Sequence, residues 1–222
     1  MKKTLMLVLV GIVCGAAKAQ RVEWGLKGGL QITQFRGDDF LGRKPNSNSL
    51  ERVSTRRGSD VGYTLGGYVR SLEDIFLQGE MLISVKGAQL ESAATNTKTS
   101  IQYGQLDIPL SVGYKSKKFE FTGGPLLSVQ LFDNNSLKSF LSQYAATPLT
   151  FSPYRPYAFG YQAGFGISLQ KITLGVRYLA SIQPVSDMYI AYQVPGTTTL
   201  QDSRFQQRSS ALQFTAAYRL SR

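Results

Sequence analysis

Apolar and polar residues alternate with period two along most of the chain, the pattern of strands that turn one face to an apolar surrounding and the other to a polar one. Val22, Trp24, Leu26, Leu30 and Ile32 alternate with Glu23, Lys27, Gln31 and Thr33. The pattern recurs near 61–69, 77–86, 105–112, 119–130, 157–169, 172–178 and 212–220. Eight antiparallel strands are therefore expected. Most are long enough to cross a bilayer, which takes roughly 9–11 residues of tilted strand.

The connections sharpen this. Those after the second, fourth and sixth segments are short, at 71–74, 115–118 and 170–171. Those after the first, third, fifth and seventh are long, near 36–58, 88–100, 132–155 and 183–209. All tight turns and both termini then fall at one end of an all-β, eight-stranded antiparallel up-and-down transmembrane β-barrel. In outer-membrane barrels that end is periplasmic and the long loops are extracellular.

A different segment precedes the strands. Lys2 and Lys3 lead into an apolar stretch from Leu5 to Ala17, and Ala17-Lys18-Ala19 fits a small-residue cleavage site. Residues 1–19 read as an N-terminal signal peptide helix, cleaved near Ala19, and 20–222 as the barrel. The apolar stretch falls short of the roughly 20 residues of a membrane-spanning helix, and Val13 before Cys14 argues against lipidation. Loss of Lys2, Lys3 and Lys18 lowers the net charge from +11 to +8 and removes the only cysteine; the chain has no histidine. Disulfides, thiol chemistry and imidazole chemistry are thereby excluded. No catalytic, cofactor-binding or metal residues are expected, because membrane-barrel hydrolases generally use a histidine base. Gly28-Gly29 and Gly66-Gly67 precede no helix and suit sheet curvature better than a phosphate loop.

The polar positions decide which face is outside. They are rich in Gly, Ser, Thr and Gln, and their charges are Glu23, Lys27, Arg70, Glu80, Lys86, Asp107, Glu120, Arg177 and Arg219. A water-facing sheet carries more charge. Five cations against four anions suit a narrow lumen, where an unpaired charge costs several kcal/mol. The alternative is a soluble periplasmic ligand-binding barrel with its bulky residues inside.

The segments GLKGGLQ from Gly25, LQGEMLISVKGAQL from Leu77, LDIPLSVGY from Leu106, GGP from Gly123 and LGVRYLASI from Leu174 occur in order. Together they resemble the PorT-type outer-membrane β-barrel family of Bacteroidetes-like bacteria, over nearly the whole mature chain outside the long loops. The resemblance implies that Glu80, Asp107-Ile108-Pro109 and Arg177-Tyr178 hold characteristic strand positions. With no histidine base, a non-enzymatic envelope structural or interaction role is expected; the resemblance implies a secretion or transport accessory as the alternative. The C-terminus, Tyr218-Arg219-Leu220-Ser221-Arg222, lacks the terminal aromatic of many such barrels.

Glu80, Asp107 and Arg177 are expected to meet in the lumen as an ion pair or bridged carboxylates, with Lys27, Arg70, Lys86 and Glu120 completing a structural plug. Pro109 lacks an N–H for its ladder, which predicts a bulge beside Asp107. In the first long connection Arg43, Lys44, Arg52, Arg56 and Arg57 are expected to contact anions such as lipopolysaccharide phosphates. Arg36-Gly37-Asp38 spells an adhesion tripeptide that arises easily by chance. The expected partners are outer-membrane lipids, lipopolysaccharide and other envelope proteins. Nucleic acid does not suit an exported chain.

Overall fold

The computed structural model describes residues 22–37, 39–44, 50–92, 97–146, 152–194, 196–197 and 199–221. The signal segment lies outside the described residues, as does Asp38. The elements are β1 (Val22–Gly37), β2 (Phe40–Gly42), β3 (Glu51–Ser71), β4 (Ile75–Ser92), β5 (Thr97–Ser116), β6 (Phe119–Asp133), α1 (Ser136–Ser142), β7 (Tyr157–Leu169), β8 (Ile172–Ser181), β9 (Ser186–Gln193) and β10 (Leu200–Arg219).

Every strand pairing is antiparallel, and the sheet closes on itself. β1 pairs with β10 on one side, from Gly25–Arg219 to Gly37–Gln207, and with β3 on the other, from Val22–Ser71 to Gln34–Ser59. From β3 the ladder passes through β4, β5, β6, β7 and β8 back to β10. β2 pairs with β3, and β9 with β10, beyond the end where the long connections lie. Closure leaves the ring without an open edge.

The described residues hold ten strands where the alternation counted eight. β2 and β9 lie in stretches read as loops, and the connection at 88–100 is mostly strand, since β4 runs to Ser92 and β5 resumes at Thr97. The cause is a reversal of polarity within continuous strands. In β4 the outward positions Ile75, Leu77, Met81 and Ile83 are apolar and exposed, while Gln78, Glu80, Ser84 and Lys86 are buried inside. Beyond Lys86 the same inward row continues as Ala88 and Leu90, and the outward row as Gln89 and Glu91. In β5 the inward row changes from Ser111, Asp107 and Gln105 to Tyr103 and Ile101; in β1 it changes from Gln31 and Thr33 to Phe35.

The barrel therefore has two zones. Toward the tight turns it is apolar outside and polar inside. At the far end it resembles a soluble barrel, with an apolar interior and a polar exterior. The apolar band spans eleven residues of β1, Val22 to Ile32. At about 3.3 Å per residue and a tilt of about 40° it stands about 25 Å tall, the height of an outer-membrane barrel's apolar belt. Trp24, Tyr114, Phe119 and Tyr218 mark its turn end, and Tyr63, Tyr161 and Tyr178 its far end, as aromatic girdles do.

Pro109 needs no bulge. The β4–β5 pairing lapses between Gly79–Leu110 and Leu82–Asp107 and then resumes in the same register. The irregularity between β5 and β6 lies farther on, where Gly104 pairs with Phe132 and Gln105 with Gln130, leaving Leu131 as the extra residue. A ladder can lack bonds for two residues without shifting when both flanks fix the register.

Candidate functional site

The polar lumen forms three tiers. Nearest the turns, the Arg70 guanidinium bridges Glu120, at 2.7 Å, and Glu23. Arg219 and Lys115 approach the same two carboxylates at 3.5 Å each, and Ser168 donates to Glu120. Phe76 lies beneath Arg70, 5.2 Å from ring centre to guanidinium, and closes this end.

The middle tier centres on Glu80. Lys27 Nζ sits 2.9 Å from it, Arg177 Nη1 lies 3.0 Å from each carboxylate oxygen, and Gln78 Nε2 donates at 2.6 Å. Arg177 also donates to Gln213 Oε1 through Nε at 3.1 Å and Nη2 at 2.6 Å, and Gln213 donates onward to Gln31. In the third tier Lys86 Nζ lies 2.9 Å from both Asp107 oxygens and 3.0 Å from Gln105 Oε1, with Ser128 donating to Asp107 at 2.6 Å.

Glu80 and Arg177 thus meet as expected, but Asp107 does not join them. Its place on the inward row of β5 puts it beside Lys86 of the neighbouring strand, which neutralises it locally. The remaining lumen space near the lower tiers is a cavity of about 50 Å³ lined by Lys27, Arg70, Gln78, Glu120 and Arg177. That volume holds a few water molecules, at roughly 10–15 Å³ each.

Above the third tier the interior turns apolar. Phe35, Phe40, Leu90, Ile101, Tyr103, Tyr154 and Phe205 pack together, with ring contacts between Phe35 and Tyr103 at 5.7 Å and Tyr103 and Tyr154 at 4.9 Å. Helix α1 follows a left-handed Asn135 and adds Leu137, Phe140 and Leu141 to this cluster. Tyr144 seals it against β2, so close to Gly42 that an added Cβ would lie 2.8 Å from the Tyr144 Cβ. The alternation puts the glutamines on the lumenal face but does not show that they join the charge tiers, and it does not show the stopper. Neutral polar residues carry no pairing signal, and the stopper's residues lay in stretches taken for loops.

Three of the five cations expected to bind anions in the first long connection have partners within the chain. Arg52 Nε lies 2.9 Å from Asp39, Lys44 lies 3.4 Å from Glu51 and over the Tyr144 ring, and Arg43 donates to the Gln193 carbonyl at 3.5 Å. The side chains of Arg56 and Arg57 lie outside the described residues. Arg36 and Gly37 are paired within β1, opposite Arg208 and Gln207, so this part of the tripeptide is strand rather than loop tip.

One ion cluster lies outside the apolar band. Asp187 in β9 accepts from Arg204 at 3.0 and 3.2 Å and from Arg155 at 2.7 Å. Hydrogen bonding from Arg204, aided by the charges of both arginines, holds its carboxyl below the usual range. A depressed pKa supplies stability above the ordinary carboxylate value near 3.9 and loses it as pH falls through the folded value. The protection factors of the β9 amides, which allow for the intrinsic slowing of exchange in acid, are therefore expected to fall below about pH 4 in the native chain, while Asp187→Asn shows the lower protection at both pH 6 and pH 3. Equal native protection factors at the two pH values would contradict this.

The model of a known family, the outer membrane protein beta-barrel domain, matches residues 17–187. The chain belongs to this family. No curated protein matches it. Among solved structures, the outer membrane protein AlkL, determined by solid-state NMR in DMPC lipid bilayers, is similar at 11% identity over 93% of each chain, with a TM-score of 0.48. As an outer-membrane barrel, the chain exposes its apolar band to lipid and shields its lumen charges from it. Leu77 is 67% exposed whereas Lys86 is 3% exposed, the inverse of a water-soluble barrel.

Proposed function

We propose that this protein is a non-enzymatic, sealed outer-membrane barrel that holds a rigid extension outside the cell in an envelope structural or interaction role. In this reading the membrane-crossing unit is the eight-strand ring. Its turn end faces the periplasm, and β2, α1 and β9 stand on the extracellular side. The observation that carries the reading is the double closure of the lumen, by charge tiers in the membrane zone and by the apolar stopper above. An eight-strand barrel has an interior just wide enough for side chains to fill, and here side chains close it in both zones, leaving a cavity of only about 50 Å³ among the lower tiers.

The stacked tiers suit shape-keeping better than transport. Each carboxylate has at least one cation within about 3 Å, so a migrating ion would have to break buried pairs at three levels. In planar bilayers the purified barrel is expected to give no resolved conductance steps. Steady channels of porin size would overturn the sealed-barrel reading.

A narrower reading, a PorT-like secretion accessory, is favoured by the ordered strand segments that carry the resemblance. It predicts that crosslinking in the native envelope captures a defined complex. Recovery of the barrel alone would count against it.

A further inference from the structure

On the outer wall, just above the apolar band, the barrel carries a crevice of about 770 Å³. Its floor is one row across four strands: Gln34 of β1 opposite Ser210 of β10, Ser210 opposite Ala180 of β8, and Ala180 opposite Tyr161 of β7. The row below, Ile32, Leu212 and Tyr178, belongs to the apolar band. The row above holds Arg36 directly opposite Arg208. Ser210 and Ala180 point outward with this row yet are 3% and 8% exposed, because the wall is concave there.

Two features of this crevice are unusual. Like charges directly opposite on paired strands repel, and among the described residues neither guanidinium has a carboxylate partner. Arg36 instead leans down over the Tyr178 ring, 5.8 Å from its centre. The Ser210 hydroxyl, buried in the floor, also has no hydrogen-bond partner. Two forked donors, a free hydroxyl and the neighbouring Gln34 amide form a set that suits a tetrahedral oxyanion.

We propose that this crevice binds the phosphate of an outer-leaflet lipid headgroup, with the acyl chains running down the apolar rows beneath it. The phosphate neutralises Arg36 and Arg208 together, and Tyr161 and Ile182 wall the junction between headgroup and chains. The height of the site selects a lipid over a soluble anion, since it opens where the apolar band ends. This inference rests on the membrane orientation proposed above.

The test uses the purified full-length mature barrel in detergent, with native mass spectrometry reading retained lipid. Bis-phosphorylated lipid A and its dephosphorylated form serve as probes, and Arg36→Gln/Arg208→Gln is compared with the native chain. Each surface cation contributes about 1 kcal/mol toward an anionic headgroup, so the double variant is expected to bind phosphorylated lipid A about 30-fold more weakly. Ser210→Ala is expected to weaken it in the same direction, and Arg52→Gln to leave it unchanged. Equal retention of both lipid forms, or unchanged binding in the double variant, would overturn the site. Displacement by millimolar inorganic phosphate would overturn the lipid assignment. Heat-modifiable gel migration reads the barrel separately, so a folded double variant that loses lipid is distinguished from one that fails to insert.

Discussion

Glu80→Ala is expected to lower the stability of the folded barrel by about 3–5 kcal/mol, the cost of removing one partner from a buried ion cluster. Glu80 is 3% exposed and, among the described residues, is the only carboxylate paired with Lys27 and Arg177. Without it two cations face each other across a lumen that the stopper closes above and Phe76 closes below. Urea titration followed by heat-modifiable migration, or by the fluorescence of Trp24 on the lipid face, measures the loss. Replacing Lys27, Glu80 and Arg177 together with apolar residues of similar volume is expected to recover most of it, because no charge is then left unpaired. A Glu80→Ala barrel as stable as the native one would mean that the middle tier is solvated, which would also undermine the sealed lumen.

The second large effect concerns the outer face of β5. Leu110 points outward at mid-height of the apolar band and is paired with Gly79. Leu110→Arg is expected to cost about 2–4 kcal/mol of insertion stability, the usual penalty for arginine at the bilayer midplane. Gln102 lies on the same outward row of β5 but beyond the polarity reversal. Gln102→Arg is expected to cost less than about 1 kcal/mol, as at an interface. Its neighbour Ile101 is fully buried in the stopper, so Ile101→Arg should disrupt the far zone whatever the lipid. Refolding yield into vesicles across a urea series ranks the three variants. Equal costs for Leu110→Arg and Gln102→Arg would remove the membrane boundary from where the polarity reversal places it.

The ladder of the membrane zone was legible because its inward row is mostly polar and its outward row mostly apolar from Leu77 to Lys86, with Leu82 the one bulky apolar residue turned inward. Period-two reading works wherever that contrast holds. It stopped at Val85 and restarted near Gln105 because the apolar residues there move to the opposite parity: Ala88, Leu90, Ile101 and Tyr103 face inward where Ile83, Leu106 and Ile108 face outward. A parity change within one strand looks like a strand end, although the backbone runs straight through it. The same residues were the available signal for a second zone, since Ala88 and Leu90 still alternate with Gln89 and Glu91.

The site was legible to the extent that its residues are charged. Glu80 with Arg177 follows from opposite signs on one face. Asp107 was grouped with them because sequence does not reveal height around a tilted barrel, where register sets which inward residues share a tier. Gln213, Gln31 and Ser128, which complete the tiers, are too common on any lumen to be singled out. The outer-wall crevice was out of reach for a related reason: Arg36 and Arg208 are 172 positions apart and become neighbours only when β1 closes the ring against β10.

The central claim is that the polarity reversal marks the upper edge of the membrane. The chain's only cysteine is Cys14, so in a Cys14→Ser background single cysteines placed along the outward row of β4 can be spin-labelled alone. In lipid vesicles, labels at Leu77, Met81 and Ile83 are predicted to be accessible to oxygen and shielded from a water-soluble nickel relaxant. Labels at Gln89 and Glu91 are predicted to show the reverse. Water accessibility at all five positions, or lipid accessibility continuing through Glu91, would contradict the account.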